Sequence, residues 1–484
     1  MSESIQSTHG GACRGRPRIR VGQSGRDYND ARRRGQGRAP GGRSGDDPSR
    51  PVGSVEPHYN ALLSPGPSGG PVPTEPPAAE PRLHRNPRGA ARTPYPGWLR
   101  ATLDEASAAA ARAEIESWPG YAPTPLVRLP GLAARAGVAS VAYKDEGGRF
   151  GLGSFKALGG AYAVLRHVSV EVGRRAGIAP PSAADLLSGR HRAITESLTV
   201  ACATDGNHGR SVAWGAQIFG CRCVIYVHET VSPGREAAIA RYGAEVVRNP
   251  GNYDEAVRRA ARDAAANGWT VVSDTSWEGY ADIPRDVMHG YCLMADEALR
   301  ELASEPPPTH VLVQGGVGGV AAAACATTWW AYGADRPQIV VVEPERAACL
   351  FESARAGERV ALTGDIETVM AGLSCGETSL LAWQVLVDGA EWFMTVSDDA
   401  AMAAMRLMAD GVAGDPPVVA GESAVAGVAG LLAAAARPEM AQALGLGPDA
   451  RVLLFGTEGD TDPELYARIV GRDAAAVRAG AKAA

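Results

Sequence analysis

Long apolar runs are missing from this chain. None reaches the roughly 18 residues that a membrane-crossing helix needs, and the N-terminus lacks the charged-then-apolar order of a signal peptide. These absences argue against a helical membrane anchor and lead to the expectation of a cytosolic protein. Cysteine is scarce as well: 8 in 484 residues is too few for a disulfide framework. No zinc-ligand spacing occurs, and Cys221 and Cys223, close together on an apolar strand, are expected to pack rather than to bind metal. Whether Cys349 and Cys375 pair stays open, because Cys375 lies in a loop able to face a ligand site. Excess positive charge is also lacking. With 48 Lys and Arg against 54 Asp and Glu, the net charge of -6 gives no overall case for nucleic acid.

The first part of the chain lacks both lysine and apolar periodicity. Residues 1–95, rich in Arg, Gly and Pro, cannot offset their ordering entropy by burial and are expected to be a disordered extension. The run Arg32, Arg33, Arg34 is locally basic. A nucleic-acid arm, a solvated tail and translated leader sequence upstream of the true start are the readings it leaves. The glycines and prolines fit an amphipathic targeting presequence poorly.

What is present begins after that. An Ala-rich helical stretch from Gly97 to Trp118 leads into Tyr121–Leu126, which Pro123 and Pro125 hold extended. Strand and helix signals then alternate. Strands are expected at 141–143, 198–203, 223–227, 245–247, 269–273, 311–313, 339–342 and 452–455. Helices are expected at 154–167, 208–219, 233–242 and 253–266, and a polar insertion follows His167 to about Glu196. Short, continuously apolar strands separated by helices predict parallel sheets covered on both faces. The fold class is therefore α/β, with two parallel-sheet domains and a cleft between them. The expected bounds are a smaller domain at about 130–290 and a larger one at about 291–470, the latter with the lead-in 96–129.

Four stretches carry candidate chemistry. Val141–Gly160 places Lys156 where a glycine-punctuated loop becomes a helix. The positive end of the helix dipole is expected to lower the ammonium pKa and favour the neutral amine, which suits a Schiff-base lysine, although a solvated surface lysine is the plainer reading. Thr204-Asp205-Gly206-Asn207-His208-Gly209 lies between a strand and a helix, where open sheets bind ligands; Asp205 or Asn207 as a helix N-cap is the alternative, and His208 alone reads as structural. Asp274 follows a strand directly and has the same N-cap alternative. Gln314-Gly315-Gly316-Val317-Gly318-Gly319-Val320 opens a helix as a phosphate-binding turn would. It lacks the Gly-Lys-Ser/Thr ending of a nucleotide P-loop, and a glycine turn without ligand is its competitor.

Taken jointly over Pro125–Gly459, these stretches resemble the fold-type II pyridoxal-phosphate enzymes, the tryptophan synthase β-subunit superfamily. Within it, FGLGSFKALGG around Lys156, ATDGNHG, DTSWEGY from Asp274, the stretch Met370–Glu377 and the stretch Gly456–Asp462 are similar to the diaminopropionate ammonia-lyase family. The resemblance implies pyridoxal phosphate as cofactor, Lys156 as its imine partner and Phe155 beside its ring. Gly315, Gly316, Val317, Gly318 and Gly319 would hold the phosphate. Asn207 would bond the phenolic oxygen, Thr457 would face the pyridine nitrogen, and Glu343 would border the pocket. The segment Thr204, Asp205, Gly206, Asn207, His208 would receive the substrate carboxylate.

By the same resemblance the activity is α,β-elimination of D- and L-2,3-diaminopropionate, with Lys156, Asp205 and Asp274 catalytic, Asp205 serving the D and Asp274 the L enantiomer. The implied partners are a small amino-acid substrate and a second copy of the chain, with no nucleic acid and no membrane. A serine or threonine dehydratase or a β-replacing synthase of the same fold is the nearest rival. A non-catalytic pyridoxal-phosphate-binding regulator is the rival from another class.

Overall fold

The computed structural model describes residues 80–204, 206–251 and 253–483. Eleven strands among them form two sheets. They are β1 Leu83–Arg85, β2 Leu126–Arg128, β3 Ser140–Asp145, β4 Thr199–Ala203, β5 Arg222–His228, β6 Glu245–Asn249, β7 Thr270–Val271, β8 His310–Gln314, β9 Gln338–Pro344, β10 Trp392–Val396 and β11 Arg451–Gly456. The larger sheet runs β1-β10-β9-β8-β11-β3-β2 and the smaller runs β6-β5-β4-β7. Every pairing is parallel except β1 with β10 and β2 with β3, which close the two edges of the larger sheet antiparallel. The central strands explain the expected apolar runs: β8 and β10 are buried at every position, as strands sandwiched between helical layers must be.

Three boundaries differ from the expectation. Leu83–Arg85, inside the stretch expected to be disordered to residue 95, pairs with Trp392–Met394, and Asn86 reaches the carbonyls of Val387 and Ala390. Residues 1–79 lie outside the described ones. Second, the domain boundary at 130 is misplaced as sheet membership goes: β3 pairs with β11, so the strand leading to Lys156 belongs to the larger sheet. Sequence adjacency to β4 concealed this, because the partner strand is more than 300 residues away. Third, the helix expected to end near His167 runs from Lys156 to Ala176, and the polar insertion after it carries two short helices, Ala183–Leu187 and Arg192–Thr195.

Helix packing is tightest where side chains are smallest. Lys156–Ala176 lies against Asp282–Glu301, which lies in turn against the Ala-rich helix Gly319–Tyr332. At the first crossing a methyl group on Gly290 would sit 2.0 Å from the Leu158 carbonyl oxygen, so only glycine permits that approach. The helix Asp282–Glu301 has no counterpart in the sequence expectation.

Candidate active site

The loops at the C-terminal ends of β3, β4, β7, β8 and β11 converge, which is where open parallel sheets place their ligands. Lys156 is the first helical residue after Phe155, and no side chain caps that helix start. Its Nζ donates to Asp274 Oδ2 at 2.6 Å, with side chains 19% and 16% exposed, so the pair is accessible but sheltered. Burial works against the lysine cation, but Asp274, followed by Tyr291 and the hydrogen bond itself, outweighs it and holds the ammonium above the ordinary lysine range. This reverses the direction drawn from the helix dipole: a touching carboxylate is stronger than a half-charge spread over the first turn. Burial likewise opposes the Asp274 anion, and Lys156 and His208 overcome it, keeping the carboxyl well below its usual range.

His208 completes that contact. Its Nε2–H donates to the Val272 carbonyl at 2.9 Å, which leaves Nδ1 buried, without a hydrogen bond, and 3.8 Å from Asp274 Oδ2. Burial lowers the imidazole pKa, and the Asp274 carboxylate partly offsets that effect. Asp274 is thus an ion-pair partner, and its helix-cap alternative falls away. It stands beyond the shortened β7, where the Tyr280 hydroxyl accepts from Ser273 N at 3.0 Å and donates to the Val271 carbonyl at 2.8 Å, pinning the strand end.

Thr204 is buried, and its Oγ1 accepts from the amides of Gly206 and Gly209 at 3.1 and 3.0 Å, folding the loop after β4 into a tight turn. Gly206, not Asp205 or Asn207, occupies the N-cap of the helix Asn207–Phe219. The Asn207 side-chain amide donates instead to Glu458, whose other oxygen accepts from Ser423 N at 3.0 Å. Asp205, placed by sequence in the same loop, lies outside the described residues. Thr457, next to Glu458 and buried at the end of β11, accepts the Phe155 amide through its carbonyl at 3.0 Å, so strand end and lysine helix are stitched together.

The glycine loop follows β8. A methyl group on Gly315 would meet Glu343 Cγ at 2.4 Å, and one on Gly318, where φ is +98°, would meet Ala382 at 2.9 Å. Side chains are therefore excluded and backbone amides line the turn; those of Gly319, Val320 and Ala321 open the helix and have no acceptor within it. Val317 accepts from Ser379 N at 2.9 Å, and the Ser379 and Ser276 hydroxyls meet at 2.7 Å, which joins this loop to the one carrying Asp274. Glu343 is fully buried and its carboxyl accepts from the Leu350 and Phe351 amides; burial pushes its pKa up to about 8. Cys349 and Cys375 are not joined by a disulfide, and a methyl group on Gly316 would lie 3.8 Å from Cys375 Sγ.

Phe155, Lys156, His208 and Asp274 thus meet directly, while Asn207 and Thr457 are linked through Glu458 and its neighbour. Two participants carried no sequence signal of their own: Glu458, within a quoted motif but not singled out, and Tyr291, whose ring stands 4.6 Å from that of Phe155. The set fits pyridoxal phosphate: an amine for the aldehyde, an apolar ring beside it, and a glycine cradle at a helix start for the phosphate.

Residues 117–458 match the family described as pyridoxal-phosphate dependent enzymes, and the chain belongs to it. Its fold is fold-type II and its cofactor is pyridoxal phosphate. Within that family it is similar to the diaminopropionate ammonia-lyase of Escherichia coli strain K12, 40% identical over 364 residues that cover 72% of this chain and 88% of the relative. The Salmonella typhimurium strain LT2 diaminopropionate ammonia-lyase is 40% identical over 367 residues, covering 74% and 90%. The holo crystal structure of the E. coli lyase superposes with a TM-score of 0.74 at 36% identity, over 81% of this chain and 97% of that one. The same lyase with an aminoacrylate-PLP azomethine reaction intermediate gives 0.71 at 35% identity, over the same shares.

Proposed function

We propose that this chain is an ammonia-lyase that removes the β-amine of D- and L-2,3-diaminopropionate, the released aminoacrylate taking up water to give pyruvate and a second ammonia. The observation that carries the reading is the contact of Asp274 with Lys156, which puts a carboxylate beside the reacting amine. Bound pyridoxal phosphate supplies the conjugation that holds the electron pair left when the α-carbon loses its proton. Lys156 would anchor it, Gly315–Gly319 would hold its phosphate, Asn207 would bond its phenolic oxygen, Thr457 would face its pyridine nitrogen, and Thr204 to His208 would seat the substrate carboxylate.

Asp274 then acts as the base. Once the Lys156 amine is engaged and no longer a cation, its pull on Asp274 is gone, and burial raises the carboxyl toward a useful basicity. We assign Asp274 to the L enantiomer and Asp205 to the D. Their joint negative charge also receives a cationic β-amine, which serine and threonine lack.

Asp274→Asn is expected to lower L turnover by about 10²–10⁴-fold with little effect on D, and Asp205→Asn the reverse. Pyruvate release from each enantiomer, with L-serine, L-threonine and O-acetylserine plus ammonia as comparison substrates, is the measurement. Equal losses on both enantiomers would remove the stereochemical assignment, and faster turnover of L-serine would remove the substrate. The same proposal includes a homodimer, as the resemblance implies, working in the cytosol; light scattering of the purified protein tests the dimer, and fractionation of expressing cells tests the compartment.

A further inference from the structure

Tyr291 has a hydroxyl that the fold leaves without employment. It is on the helix Asp282–Glu301, its side chain is 1% exposed, and its oxygen is buried without a hydrogen-bond partner among the described residues. Leaving such a group unsatisfied forfeits its hydration, so its presence calls for a partner that arrives later.

The surroundings hold the ring in place. A methyl group on Gly159 would lie 2.3 Å from Tyr291 Cε1, and a methyl group on Gly290 would strike the Leu158 carbonyl; the two glycines let the helices close until the phenol ring fills the space. Phe155 packs on the ring at 4.6 Å, and a methyl group on Gly319, where the cradle helix begins, would lie 3.7 Å from its far edge. Lys156 Nζ stands 5.8 Å from the ring centroid while bound to Asp274 at 2.6 Å. The amine therefore has two stations: Asp274, occupied here, and the neighbouring Tyr291 hydroxyl, whose titration already feels the lysine.

We propose that the Tyr291 hydroxyl receives the Lys156 amine when substrate displaces it, the phenol O–H donating to the neutral nitrogen, so that Asp274 is left free to face the substrate. No proton is transferred in this docking. Tyr291 is a positioning residue: it touches neither substrate nor the bond that breaks, and it acts by keeping a lysine off a carboxylate. The inference rests on the assignment of Asp274 to the L enantiomer, and two separate readouts keep the claims apart.

The test is Tyr291→Phe in the cofactor-loaded protein, which keeps the ring and its packing. Turnover of L-diaminopropionate is expected to fall about tenfold more than that of the D enantiomer, the size of one lost hydrogen bond. The second readout involves no turnover. In the Asp274→Asn background the amine has no carboxylate to return to, so adding Tyr291→Phe should weaken glycine association about tenfold, followed by the change in cofactor absorbance. Equal losses on both enantiomers, or unchanged glycine association, would overturn the proposal. If Asp274→Asn alone harms both enantiomers equally, the base assignment fails, and the glycine titration still decides whether Tyr291 receives the amine.

Discussion

Lys144 and Lys156 stand at the two ends of one glycine-punctuated segment and have opposite lives. Lys144 is fully buried and has all three of its protons committed, to the Thr124 carbonyl at 2.6 Å, to Glu297 at 2.8 Å and to Glu301 at 3.0 Å. Glu297 is shared with Arg149, which also pairs with Glu146 at 2.8 Å, and Thr124 Oγ1 donates to Glu146 at 2.6 Å. Apart from Glu301, whose side chain is 41% exposed, these groups are closed to water. Lys156 has one carboxylate, partial exposure and a buried phenol nearby whose hydroxyl makes no hydrogen bond among the described residues. A buried lysine that saturates its donors is scaffold; one held by a single partner is able to let go and react.

The largest expected effect that separates the two comes from Lys156→Ala, which should lower turnover by about 10⁴-fold or more while the fold persists. Borohydride reduction and peptide mapping give the check: the lysines of this chain are Lys144, Lys156 and Lys482, and the label is expected on the second alone. Lys144→Met should do the converse. It breaks a buried charge network on one side and is expected to cost about 3–5 kcal/mol in denaturant unfolding, with cofactor capture surviving in whatever fraction folds. Turnover lost without stability lost in that variant would contradict the division of labour.

The smallest effect sharpens the comparison from the carboxylate side. Glu343 titrates near 4.5 when unfolded and is pushed up to about 8 by burial in the folded chain. Between those values the folded state keeps a proton that the unfolded state has released, so this group's contribution to stability falls as pH rises through that window. Glu343→Gln is expected to flatten the dependence of the thermal midpoint on pH over the same interval. Glu422, pushed up to about 8 by burial, retains its own share of the slope. An unchanged slope in the variant would show Glu343 to be ionised in the fold.

The division also explains what sequence could reach. The strands β8, β9 and β11 are legible as unbroken apolar runs, and Lys156, Asp274 and the glycine turn are legible because each motif packs its chemistry into a few neighbouring residues. Glu458 is not, since the amide it steadies is 251 positions away. Nor is Tyr291, placed by a helix crossing that only two glycines, far apart in the chain, make feasible. The edge strand β1 offers three half-buried or exposed residues and no alternation to read. The direction of the Lys156 titration was beyond local reasoning for the same cause: the helix start is written beside the lysine, the opposing carboxylate is not.

One pairing fixes when Lys156 finds its seat. β3 docks on β11, and the Phe155 amide binds the carbonyl of Thr457, so the segment delivering Lys156 has its neighbours only after residues near the far end of the chain have been made. The Lys156 amine therefore cannot be seated by its own neighbourhood alone, and a chain cut short before β11 would lack the wall against which that segment is built.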